Sequence, residues 1–141
     1  MTQGLLVDAG PLVAILSRRD RHHRTCLEVL KEVRRPLVST WMPVTEAMYL
    51  LDFSIAAQGA LLEMIERGTL QILDLVREDL AAMHKLMRKY HDQPMDFADA
   101  SLVQVADRLS LTEIFTLDRR DFDVYRLSKN RAFRIFPGAA S

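Results

Sequence analysis

The sequence predicts an α/β fold, a three-layer α/β/α sandwich around a mostly parallel sheet, and three observations carry that expectation. Short apolar runs of strand length alternate with longer segments of helical period along the whole chain. Proline opens two of the helical segments, at Pro11 and Pro43, and glycine closes a third, at Gly68. No internal repeat or low-complexity stretch interrupts the alternation, and 141 residues with 49% hydrophobic and 27% charged side chains suffice for a single domain over 1–141.

The elements follow in order. "GLLVD" (4–8) has the length of a buried strand, and "AGPLVAIL" places Pro11 in a first helical turn. After the polar loop "SRRDRHHR", "TCLEVLKEV" has helical spacing and "RPLVST" reads as a second strand. Pro43 opens the helix "PVTEAMYLLDF", and "AAQGALLEMIERG" is a further helix with Gly68 as its cap. "LQILDL" is a strand, and "REDLAAMHKLMRKY" and "QPMDFADASLVQVA" are amphipathic helices. "EIFTLD" is a strand, "RRDFDVYRLSKN" a basic loop or short helix, and "FRIFP" a last strand at the sheet edge. Met48, Met64, Met83 and Met87 fall at helical spacing and are expected in the core, and Trp41 in the core or at a dimer contact.

Charge and cysteine usage narrow the function classes. Nineteen basic and nineteen acidic residues cancel, so binding of nucleic acid has to use local patches rather than bulk charge. The single cysteine, Cys26, excludes an internal disulfide, and "MTQGLLVDAG" lacks the layout of a secretory leader; both point to the cytoplasm. No apolar run is long enough to span a membrane. There is no P-loop, G-x-G-x-x-G or G-x-S-x-G motif, and His22 with Cys26 lacks the second ligand pair a zinc site needs.

The acids are placed unusually. Asp99 stands one and two helical turns before Val103 and Ala106, on the stripe that should face the core. Glu46 carries Tyr49, Leu50 and Phe53 at i+3, i+4 and i+7, again an apolar face. Asp8 and Asp118 end strands, where open parallel sheets place their ligand sites. Carboxylates gathered there without matching lysines or arginines repel one another and raise one another's pKa, unless a hard cation such as Mg²⁺ or Mn²⁺ neutralises them. Asp96, three residues before Asp99, fits a helix N-cap as well as a ligand. Asp121 fits a solvated turn as well as a ligand. From Arg119 to Arg134 six basic residues face two acids, and Arg119, Arg120 and Arg126 follow Asp118 closely enough to hold the phosphates of a polyanion beside the cluster; "SRRDRHHR" is a second basic patch.

"LLVDAGPLVAIL", "VTEAMYLL", "MDFADASLVQVA" and "IFTLDRRDFDVY" together resemble the four acidic blocks of the PIN-domain ribonucleases, with VapC-type toxins as the nearest subgroup. The resemblance runs nearly end to end and implies a PIN-like domain in which Asp8, Glu46, Asp99 and Asp118 are catalytic. It implies Asp8, Asp99 and Asp118 as ligands of Mg²⁺ or Mn²⁺, Glu46 as a ligand or a base orienting water, and Thr116 as the hydroxyl residue two before the fourth acid. It also implies an endoribonuclease acting on RNA, including tRNA, a homodimer, and an antitoxin partner whose C-terminal segment blocks the cleft. One position departs from the family pattern: Gly10 stands where a Ser or Thr is usual, which removes a hydroxyl beside the first acid. The alternative this leaves is a non-catalytic PIN-fold domain that binds RNA or protein.

Overall fold

A computed structural model describes residues 4–138 of the chain. Its elements run β1 (Leu5–Val7), α1 (Ala9–Leu16), α2 (His23–Glu32), β2 (Leu37–Ser39), α3 (Trp41–Leu50), α4 (Ile55–Glu66), β3 (Leu70–Ile72), α5 (Asp79–Lys89), α6 (Phe97–Leu109), β4 (Glu113–Phe115), α7 (Arg119–Phe122), β5 (Arg126–Leu127), β6 (Arg131–Ala132) and β7 (Arg134–Phe136). The expected strands and helices are all present. β5 and β6, a two-residue antiparallel pair around a tight turn, were not expected, because strands this short leave no periodicity to read.

Five strands form one parallel sheet in the order β3-β2-β1-β4-β7, with β7 at the edge. The chain winds outward from β1 through β2 to β3, then returns to the other side of β1 with β4. The switch point therefore lies between β1 and β4, where α/β sheets open a crevice at the carboxyl ends of their strands. Strand alternation splits the core into two layers. Leu5 and Val7 face α1, α2, α3 and α4, while Leu6 faces α5, α6 and the segment from Phe122 to Ile135. Gly4 is required at the entry to β1, because a Cβ there would stand 2.6 Å from Val38 Cγ1. Gly68 closes α4 at φ +80, the left-handed conformation of a helix C-terminus.

The methionine expectation is met. Met83 is fully buried, and Met48, Met64 and Met87 pack partly buried against the two core layers. Trp41, by contrast, is 54% exposed. Among the described residues no helix is long and apolar enough to cross a membrane.

Candidate active site

Asp8 follows β1 and caps α1. Its N–H still donates to Phe115 O at 3.0 Å, so its side chain leaves the sheet at the switch point between β1 and β4. Oδ1 accepts from Ala9 N–H at 2.9 Å, and Oδ2 accepts from the Thr116 hydroxyl at 3.1 Å. The same Thr116 oxygen accepts from Asp118 N–H at 3.0 Å, so one buried hydroxyl ties the ends of β1 and β4 together. Asp8 is 5% exposed. Burial pushes its carboxyl up to about 6 against those hydrogen bonds, with the charges of Asp118 and Glu46 acting in the same direction as burial.

Asp99 arrives from the first turn of α6. Asp96 is the N-cap of that helix, its Oδ1 accepting from Asp99 N–H at 2.8 Å. The three-residue offset then turns Asp99 inward, onto the stripe with Val103 and Ala106, where it is 8% exposed. A hydroxyl pair, Thr40 with Ser101 at 2.6 Å, pins this end of α6 to the residue that precedes α3. Asp99 Oδ2 accepts from the Tyr125 hydroxyl at 2.9 Å. Burial first, then the charges of Asp96, Asp8 and Asp118, push the Asp99 carboxyl up to about 8.

Asp118 and Glu46 form the open side of the cluster, both exposed. The Asp118 pKa is raised by burial and by the charges of Asp121 and Asp96, and that of Glu46 by burial and by Asp96 and Asp118. Acids spread over more than a hundred residues of sequence thus lie within one another's fields. No lysine or arginine forms an ion pair with Asp8, Glu46, Asp96, Asp99 or Asp118 among the described residues. As the side chains stand, no three His, Cys, Asp or Glu residues among those described are gathered tightly enough to hold one ion.

One expectation is corrected. The apolar stripe around Glu46 does not face the core: Tyr49 is 74% and Phe53 66% exposed, and Pro43, Val44 and Ala47 make the buried face instead. α3 is apolar on both sides, so periodicity did not decide which side turns inward. The basic segment after Asp118 also divides. Arg119 donates to Pro137 O at 3.1 Å and stands 3.9 Å from Asp123. Arg126 donates to Asp123 O and Tyr125 O, while Arg120 is exposed. "SRRDRHHR" follows the far end of α1, at the opposite edge of the sheet from the acids, because α1 starts at Asp8 and runs back along the sheet. Cys26 is buried, its thiol pushed up to about 11 by burial and by Asp20. Gly10 lies against Leu117, where a Cβ would make ordinary contact at 3.4 Å, so space does not demand glycine there.

Tyr125 is the functional candidate that sequence reasoning missed. It is fully buried and held edge-on between Phe122 and Tyr90, with ring centroids 5.0 and 5.1 Å away. The one signal was an aromatic set within a polar stretch, which does not say that its hydroxyl reaches a carboxylate 26 residues earlier.

In sequence and fold the chain is similar to known proteins. The chain is 27% identical over 135 residues to Ribonuclease VapC26 of Mycobacterium tuberculosis, across 94% of this chain and all of that one. Its fold is similar to VapC20 of Mycobacterium tuberculosis, a Sarcin-Ricin loop cleaving toxin, with TM-score 0.72, 12% identity, and coverage of 79% of this chain and 87% of that one. It is similar also to a toxin-antitoxin complex from Klebsiella pneumoniae, with TM-score 0.64, 17% identity, and coverage of 86% and 92%. VapBC2 from Rickettsia felis, bound to a DNA fragment from its promoter, gives TM-score 0.66 at 12% identity over 95% of this chain and 99% of that one. The PIN domain profile matches residues 5–127, from the first strand to the residues just past Tyr125, and the chain belongs to the PIN-domain family.

Proposed function

We propose that this protein is a divalent-metal-dependent endoribonuclease of the cytoplasm, the toxin of a VapBC-type toxin-antitoxin pair. The observation that carries the reading is the pair of nearly buried carboxylates, Asp8 and Asp99, at the carboxyl edge of the sheet, with no basic partner among the described residues. A buried acid without a counter-charge is costly, and the donor set, hard carboxylate oxygens only, suits Mg²⁺ or Mn²⁺. Asp8, Asp99 and Asp118 would hold the ion. When bound, it would supply charge neutralisation and Lewis acidity toward a phosphodiester.

The residues of the chain divide the remaining work. Thr116 orients Asp8 through Oδ2 and holds Asp118 through its backbone N–H. Tyr125 fixes Asp99 by donating to Oδ2, which leaves Oδ1 for an ion. Glu46, open to solvent with its pKa raised, would accept the proton of an attacking water at its carboxylate. Asp96 caps α6 and adds negative field rather than serving as a ligand. Asp121 acts on Asp118 in the same way. Arg120, exposed two residues after Asp118, is suited to a phosphate.

A protein partner is supported separately. Tyr49, Leu50, Phe53 and Ile55 are large apolar side chains exposed at the end of α3 and the start of α4, and Trp41 is exposed at the start of α3. A second copy of the chain and an antitoxin both have reason to cover such residues. The test of the enzymatic reading is incubation with total RNA, including tRNA, plus Mg²⁺ or Mn²⁺. Cleavage that EDTA abolishes and fresh metal restores is expected. Cleavage unaffected by EDTA, or none at all from folded protein in either ion, overturns it.

A further inference from the structure

A second charged feature begins one helical turn along α6 from Asp99, at Val103, and takes in Arg126, the residue after Tyr125. α5, α6 and the β5 segment enclose a cavity of about 330 Å³ whose charged lining is Lys85, Lys89, Arg126 and Asp107. Three of the four are cations, brought together from segments about forty residues apart in sequence. The one acid is already engaged: Asp107 accepts from Ser128 N–H at 2.9 Å and from its hydroxyl at 2.6 Å, and Arg131 stands 3.9 Å away.

Lys85 and Lys89 are one turn apart on the exposed side of α5, and neither forms an ion pair among the described residues. The Lys89 ammonium is 5.2 Å from the Tyr90 ring centroid. Arg126 is fixed by donating to Asp123 O at 2.6 Å and Tyr125 O at 3.0 Å, and its N–H donates to Tyr90 OH at 3.0 Å. Two consecutive residues therefore point to two sites: Tyr125 to the catalytic carboxylate Asp99, Arg126 to the cavity.

The electrostatics give the cavity a task. An RNA strand approaching the acid cluster meets repulsion, and a chain of zero net charge offers no long-range attraction to offset it. Affinity has to come from local cations, and a concave set of them starts one helical turn along α6 from Asp99. We propose that this cavity receives backbone phosphates of the RNA strand flanking the cleaved bond, with Lys85, Lys89 and Arg126 as their counter-charges. The proposal rests on the endoribonuclease reading and adds to it where the strand runs.

The test is binding of a short labelled single-stranded RNA of mixed sequence, in EDTA to keep it intact, across a salt series. Compared are the wild type, the double variant Lys85→Glu/Lys89→Glu, and a charge-matched control, Lys31→Glu/Arg34→Glu, at exposed positions on the other face of the sheet. The cavity variant should lose affinity by about tenfold or more, and its log K against log salt should flatten by roughly 0.7 per phosphate contact removed. The control should bind as the wild type does. Wild-type affinity and slope in the cavity variant, or an equal loss in the control, overturns the proposal. So does retained RNA affinity with lost binding of poly-glutamate, which assigns the cavity to an acidic protein segment. A wild type that binds no RNA at any salt overturns the endoribonuclease reading itself.

Discussion

Asp79 and the pair Asp8 and Asp99 are equally hidden from solvent, yet the protein treats them in opposite ways. Asp79, 3% exposed at the start of α5, accepts from Val76 N–H at 2.9 Å and Gln104 Nε2 at 2.9 Å, and Arg108 stands 3.2 Å away. Burial alone would raise its pKa, but those donors and the cation outweigh it and the net shift is downward. Asp8 and Asp99 receive hydroxyl and amide donors only, meet other carboxylates, and shift upward to about 6 and about 8. The difference separates an acid that stabilises a fold from acids whose charge the fold leaves uncompensated. The first is neutralised within the protein, and the second are suited to a cation from outside.

Substitution should separate the two regions most sharply. Asp99→Asn keeps an acceptor for the Tyr125 hydroxyl, so the variant should fold and yet cleave RNA slower by on the order of a thousandfold. Assay of purified, folded variant against wild type checks this, and near-wild-type turnover would remove Asp99 from the site. Tyr125→Phe comes next: it removes the single hydroxyl orienting Asp99 and should weaken Mn²⁺ affinity by about 10–100-fold, as loss of an outer-shell partner does. Calorimetric titration with Mn²⁺ reads that directly, and an unaltered affinity would make Tyr125 a packing residue only. Asp79→Ala should do the reverse of Asp99→Asn, costing about 1–3 kcal/mol of stability by denaturant melt while leaving Mn²⁺ affinity unchanged.

The smallest effect is on pH dependence. A carboxyl whose folded pKa lies above its ordinary value contributes stability at low pH that is lost as pH rises through the folded value. For Asp8 and Asp99 that window ends at about 6 and about 8, so the melting temperature in EDTA should fall as pH is raised through this range. Asp79, shifted down, contributes above the ordinary carboxylate pKa and loses its contribution only in more acid solution. Asp99→Asn should flatten the upper part of the slope, and a slope identical to wild type would contradict the assignment.

These contrasts also mark what could be read without a structure. Asp8 and Asp118 are legible because strand ends next to turn residues are local features, and Asp99 because an acid on a helical stripe breaks a pattern visible within two turns, from Asp99 through Val103 to Ala106. Asp79 went unremarked, since an acid near a helix start is ordinary, and only the fold brings Arg108 and Gln104 to it. Tyr125 was hidden for the same reason. The exposed face of α3 was misassigned because Tyr49, Leu50 and Phe53 are as apolar as Val44 and Ala47, and which side is buried is set by the sheet it packs on. Arg119, Arg120 and Arg126 read as one patch in sequence, but the α7 turn sends them to different neighbours.

Thermal unfolding with and without Mn²⁺, run side by side on wild type, Asp99→Asn and Asp79→Ala, tests the cation assignment most directly. At a hundredfold excess of ion over its dissociation constant, linkage stabilises a folded protein by about 2.7 kcal/mol. Wild type and Asp79→Ala should both gain by that order, the second from a lower starting temperature, and Asp99→Asn should gain little or nothing. A wild type whose melting curve Mn²⁺ leaves unmoved, or an Asp99→Asn protein that gains as much as the wild type, would contradict the assignment of these buried carboxylates to a metal.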